Sequence, residues 1–241
     1  GLNMVEGALA VRIRGVTVNW RPFLLPVVRC TSILRTVLSF MNIEFFKGFF
    51  VEKYLYLTQP EWTKAWIDGG AVPINLASTY LSVSREGVMT PDENLIHDSV
   101  VSIPSLRQYG FHFEGVKNLT MTDCHSNGTR LPNLHNASYY SEDGLILSFC
   151  NHFDISTAEK FGKKACVKIL NIDKTRRNID IQLGCKGTMN VCEYTKDHQR
   201  NHFLKSIEDQ WQDEFRMFWK ITTMKWVKVP AGTAELVWIA E

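Results

Sequence analysis

Glu214 opens the stretch whose residue types best suit chemistry. From Glu214 to Lys220 the chain alternates, with Glu214, Arg216 and Lys220 set against Phe215, Met217 and Trp219, broken only by Phe218. Period-two alternation rich in aromatics predicts a strand with one face in a core. A carboxylate at the start of such a strand, beside an aromatic wall, is either a surface charge paired with Arg216 or a preorganised anion facing a cleft. The second alternative makes the chain an enzyme.

Several other chemistries find no support. The chain holds neither a G-x-x-x-x-G-K-[ST] loop nor a G-x-G-x-x-G turn, the backbone cradles for phosphates and dinucleotides. It lacks H-E-x-x-H and the zinc-deaminase pairing of H-x-E with P-C-x-x-C. Asp123-Cys124-His125, with His135 or His152, offers metal-ligand types, but no second pair at ligand spacing accompanies it. A polar loop is the preferred reading there, and no metal is expected. Cys150 lies in an apolar run, where a thiol is usually inert. A nuclease would need clustered carboxylates for metal ions. Asp92-Glu93 and Glu208-Asp209 are the candidates, but adjacent acids on polar runs usually form solvated faces.

The positioning elements come from a chain of 241 residues, 45% hydrophobic and 22% charged, enough to bury one core. A net charge of +2 excludes a uniform polyanion-binding coat but leaves room for local basic clusters. Two occur, Lys160-Phe-Gly-Lys-Lys164 and Lys174-Thr-Arg-Arg177. The six cysteines form no C-x-x-C pair and read as reduced thiols of a cytoplasmic protein. In that compartment the N-x-S/T triplets at Asn118, Asn127 and Asn136 carry no meaning. No apolar run reaches membrane-spanning length, so no membrane partner is expected. Residues 1–40 carry five arginines and one acid, Glu6, and read as an appended extension, with Met41 the candidate functional start of a single domain over 41–241. Within the extension Val11 to Val18 alternates like a strand.

Strands are predicted at Glu52–Thr58, Val72–Ala77, Leu145–Cys150, Ala165–Leu170, Ile179–Leu183 and Leu236–Ile239, besides the one at Glu214. Pro60 to Asp68 reads as a short helix stopped by Gly69-Gly70, and Phe153–Phe161 and Phe203–Trp211 as further helices. Residues 82–100 and 117–143 read as long polar loops that select what the protein acts on. Many strands joined by short connections imply an α+β fold with a split, mostly antiparallel sheet.

Leu55-Tyr-Leu-Thr58, the segment with Trp62 and Trp66, and Gly69-Gly70 together resemble the opening of ADP-ribosyltransferase-fold proteins, such as the DarT-like toxins and the RNA 2′-phosphotransferases. Ala77-Ser-Thr-Tyr80 with Arg85 resembles the next part of their NAD pocket, and Glu214 matches their single late-strand catalytic Glu. Phe203-Leu-Lys-Ser206 with Trp211 to Arg216 is also similar to an uncharacterised bacterial family. The sequence departs from the pattern at Tyr56, where a His or Arg is usual. The resemblance implies an NAD-dependent mono-ADP-ribosyltransferase of toxin–antitoxin or antiviral-defence type, with NAD as substrate and a DNA or RNA base as acceptor. An antitoxin or defence-complex protein would be its partner. It assigns catalysis to Glu214 and Arg85, with Arg85 on the pyrophosphate. Tyr56, Thr58, Ser78 and Thr79 would hold the amide and ribose hydroxyls, and Tyr80 would stack on nicotinamide. The alternative is a non-enzymatic binding protein, an inhibitor or a member of a defence complex, whose aromatics are core and interface anchors.

Overall fold

The computed structural model describes residues 11–13, 16–18, 52–81 and 90–240. The chain divides into two compact units, Gly1–Lys47 and Gly48–Glu241. In the first, the described residues form an antiparallel pair, β1 (Val11–Ile13) and β2 (Val16–Val18), so the run from Val11 to Val18 makes two short strands instead of one.

The second unit is mixed α and β, with mostly antiparallel sheets and few, short helices. Its largest sheet runs in the order β12 (Thr188–Val191), β15 (Glu214–Trp219), β10 (Leu145–Cys150), β3 (Lys53–Leu57), β11 (Ala165–Ile169) and β17 (Ala234–Ile239). The sheet forks at β10. Cys150 pairs with Tyr54 of β3, whereas Leu145 and Ile146 pair with Leu76 and Asn75 of β4 (Gly70–Leu76), which in turn pairs with β16 (Lys225–Val229).

Alternation assigns the two faces of this sheet different tasks, because successive side chains on a strand point to opposite sides. Leu55 and Leu57 of β3, Leu145 and Phe149 of β10, and Phe215, Met217 and Trp219 of β15 share one face and form the main core. Helix α2 (Ile172–Leu183) and the pair β4–β16 cover that face through Ile172, Ile179, Ile74 and Val227. Tyr54, Tyr56, Ser148, Cys150, Glu214 and Arg216 point the other way, as their cross-strand pairing requires. Helix α1 (Ile155–Lys160) covers one end of this second face, with Ala158 against Tyr56, Cys150 and Cys166. The predicted strand at Glu214 therefore has no solvent face, and all six of its residues are buried.

Local chemistry explains where elements differ from expectation. The segment after Pro60 forms a 3-10 turn, Pro60–Trp62, and then a wide π-type turn, Ala65–Gly69. Gly69 ends it at φ 86°, where an added Cβ would stand 2.8 Å from the Ala231 amide nitrogen, so both conformation and space demand glycine. Ile179–Leu183 is not a strand but the end of α2. The alternation of Ile179, Ile181 and Leu183 is incidental, since Ile172, Thr175 and Ile179 share the buried stripe while Ile181 is exposed. Asn171 caps this helix by accepting from the Lys174 amide, Arg176 pairs with Asp180, and Gly184 ends it in the left-handed region. Phe203–Trp211 is not a helix throughout. It gives β14 (Leu204–Ser206), parallel to β13 (Glu193–Thr195), and then a 3-10 turn, Ile207–Gln212.

The two long loops are also corrected. The described part of the first holds β5 (Leu95–Asp98). The second holds β6 (Val116–Met121), the hairpin of β7 (His125–Ser126) and β8 (Thr129–Arg130), and β9 (Leu134–Ser141). A three-stranded sheet, β5-β9-β6, packs Leu134 and Ala137 on Ile103 and Leu106. Asn118, Asp123, Asn127 and Asn136 all sit at φ between 49° and 55°. Asn and Asp tolerate this region best after glycine. Asn118 and Asn136 lie inside β6 and β9, whose pairing register shifts, and these kinks hide the alternation that marks a strand. No helix among the described residues is long and apolar enough to cross a membrane.

Candidate active site

A cavity of about 170 Å³ opens on the second face of the main sheet. Tyr54 and Tyr56 of β3, Tyr80 and Phe161 give it aromatic walls, and Lys163 and Thr90 add polar groups. Glu214 and Arg216 reach it from β15, Ser148 from β10 and Lys205 from β14. Glu93 completes its charged side, and Gln212 adds a neutral amide.

These charges form one buried network. Arg216 is 2% exposed. Its Nη2 lies 2.5 Å from Glu93 Oε1 and its Nη1 donates to the His202 carbonyl at 3.0 Å. Its Nε stands 3.0 Å from Glu214 Oε1, but no hydrogen bond forms there, so the contact is one of charge. Lys205 Nζ donates to Glu214 Oε2 at 3.0 Å and to Gln212 Oε1 at 2.6 Å. The Glu214 amide donates to the Tyr194 hydroxyl, which fixes the start of β15.

Burial alone would push the Glu214 carboxyl up. The Arg216 guanidinium and Lys205 ammonium more than reverse this and hold it down at about 2, helped by a hydrogen bond from Ser148. Glu93 moves the opposite way. Burial raises it, Arg216 opposes, and the negative charge of Glu214 adds to the rise. Two carboxyls that share one guanidinium are thus driven apart, one firmly ionised and one held more readily as the acid. Such divergence marks acid and base assignments in active sites. Burial lowers Lys205, but Glu214, Glu93 and Asp209 together outweigh it and raise the group, so the ammonium stays charged.

Of the two alternatives for Glu214, the surface one is overturned. The carboxylate does pair with Arg216, but the pair is buried and lines a cavity. Tyr80 also lines the cavity. The Tyr56 ring does too, but its hydroxyl accepts from the Asp154 amide at 2.8 Å and donates to the Asp154 carbonyl at 3.1 Å, so it serves the start of α1. Thr58 lies outside the cavity lining and accepts from Lys163 Nζ at 2.9 Å. Ser78 also lies outside, its hydroxyl donating to Asp143 Oδ2 at 2.5 Å. Thr79 occupies the 3-10 turn Ala77–Leu81 and does not line the cavity. Arg85 lies outside the described residues.

Glu93 is not half of a solvated acidic pair, and Lys205, which no catalytic motif marks, joins it at the cavity. Asp92 in fact pairs with Arg200, while Glu93 turns inward to Arg216. The legible signal was an arginine on the inward side of a buried strand, which must meet a carboxylate. The two basic clusters separate. Lys163 of the first reaches the cavity, whereas the second lies on α2, against the opposite face of the sheet. Asp123 of the suggested metal cluster is paired with Arg130 at 2.6 Å, and no group of three metal-ligand side chains occurs among the described residues. Comparison with family models, curated proteins and solved structures finds no match for this chain.

Proposed function

We propose that this cavity is the active site of an NAD-dependent mono-ADP-ribosyltransferase. The observation that carries the reading is the Glu214 carboxylate, buried and yet held ionised at the wall of an aromatic cavity. Breaking the bond between nicotinamide and its ribose passes through an oxocarbenium-like cation, which a preorganised anion favours. A carboxylate has about four acceptor positions. Lys205 and Ser148 use two of those of Glu214, which leaves capacity for a ribose hydroxyl. The volume of about 170 Å³ suits the nicotinamide end, whereas whole ligand pockets usually span roughly 300–1,000 Å³. The remainder of NAD would then lie outward, along the side where Lys163 stands. Stacking on Tyr80 would orient the nicotinamide ring.

The acceptor class follows from the resemblance, and a nucleic acid base remains the proposal, in a toxin or antiviral-defence setting with an antitoxin as partner. Lys163 at the cavity and Lys160, whose Nζ lies 5.2 Å from the Trp211 ring centroid, give a basic and aromatic rim suited to a phosphate backbone. The second reading, a non-enzymatic binding protein, draws on Trp226, which is 63% exposed on β16 and would anchor an interface. Incubation with NAD labelled in the adenylate phosphate, together with single-stranded DNA, RNA or lysate, separates the two. Label on a nucleic acid supports the transferase, and label on none of these favours the binding protein.

A further inference from the structure

Glu93 shares the cavity wall with Glu214, its carboxyl paired with Arg216 and steadied by Thr90. Oε1 meets Arg216 Nη2 at 2.5 Å, while Oε2 is buried with no hydrogen-bond partner. The Glu93 side chain is only 3% exposed, so solvent does not satisfy that oxygen. A buried acceptor left unpaired is destabilising, because it has given up its water without a replacement donor. Such a group in a cavity wall suits a role that begins when a ligand brings a donor.

We infer that Glu93 Oε2 is the general base that takes the proton of the acceptor, so that the cleft serves neutral N–H or O–H acceptors. This rests on the transferase reading of the same site. The bond from ribose C1′ to nicotinamide breaks, and its electron pair returns to the pyridinium nitrogen, which becomes neutral. A lone pair on the acceptor nitrogen or oxygen forms the new bond to C1′. The proton on that atom passes to Glu93 and later to water. Glu214 is poorly suited to this step. Arg216 and Lys205 hold it ionised, which makes it a weak base and a good partner for the cation. Burial makes Glu93 the stronger base of the two.

An anionic nucleophile that needs no deprotonation tests this. The full chain, Glu93→Gln and Glu214→Gln are each supplied with NAD and either water alone, single-stranded oligonucleotides, or sodium azide. Glu93→Gln should transfer to water and oligonucleotide about a hundredfold more slowly, the usual worth of a general base. It should still form ADP-ribosyl azide within about threefold of the unmodified chain, and the acid limb of its pH–rate profile should vanish. Glu214→Gln should lose azide transfer as well. Glu93→Gln that keeps full transfer to water and oligonucleotide, or that loses azide transfer too, overturns the assignment while leaving the transferase reading intact. An unmodified chain that releases no nicotinamide under any of these conditions removes the transferase reading, and the assignment of Glu93 with it.

Discussion

Replacing Arg216 by Met keeps much of the side-chain volume and removes the charge that two buried carboxyls share. Glu214 is then left with Lys205, and Glu93 loses its ion pair and keeps only the weaker pull of Lys205. Holding the Glu214 carboxyl at about 2 rather than its ordinary 4.5 corresponds to roughly 3 kcal/mol, at about 1.4 kcal/mol per pH unit. Breaking a buried ion pair by removing one partner typically costs about 3–5 kcal/mol. The sign with pH follows from linkage. In the unmodified chain Glu214 is lowered, so its contribution is present above about 4.5 and is lost as the pH falls toward 2. In Arg216→Met the carboxyls are raised by burial, and the folded state loses stability as the pH climbs past the ordinary carboxyl range. The gap between the two proteins should therefore be about 3–5 kcal/mol at pH 7.5 and shrink steadily toward pH 4.5. Urea unfolding at several pH values measures it. A gap below about 1 kcal/mol at pH 7.5, or one that does not change with pH, would mean that these charges are solvated and the network is not buried.

Glu214→Gln should cost about 2 kcal/mol at pH 7, because Lys205 loses its nearest counter-charge, and unfolding titrations should show that cost fading as the pH falls. His97 is held down at about 4 by burial, then by His198 and Arg200, and its Nε2 accepts from the Ile103 amide at 3.2 Å. Being neutral when folded, it should lower Tm as the pH drops from 6.5 toward 4, so the advantage in Tm of the unmodified chain over His97→Gln should shrink over that window. Ser78→Ala should cost about 1–2 kcal/mol by removing the donor to Asp143 Oδ2, yet change nicotinamide release by less than twofold. A large fall in activity without loss of stability would restore Ser78 to the site.

What could be read from the sequence depended on how local the cause was. The strands at Lys53–Leu57, Leu145–Cys150 and Ala165–Ile169 were legible because both of their faces, or one clean face, carry apolar side chains. Helix α1 was legible from its neighbourhood of Asp154 and Gly162. The sheet β5-β9-β6 was not, since Asn118 and Asn136 interrupt the period that marks a strand and the outward face is polar. In α2 a local alternation of Ile179, Ile181 and Leu183 concealed the longer helical stripe. Glu214 was legible as a strand-start carboxylate, but Glu93 was not. Its partner Arg216 lies far along the chain, and only the folded sheet brings them together. Thr58 and Ser78 sit beside the right elements, but their hydroxyls are already bonded to Lys163 and Asp143.

The most direct measurement is the release of free nicotinamide from NAD by the purified chain, compared with Glu214→Gln shown to be folded by its unfolding transition. Removal of one preorganised charge that faces a transition state commonly costs about 10²–10³ in rate. The unmodified chain should release nicotinamide, faster when its acceptor is present, and Glu214→Gln should release it at least about a hundredfold more slowly. Equal rates in the two proteins, or no release by the unmodified chain with or without DNA, RNA or lysate, would contradict the account.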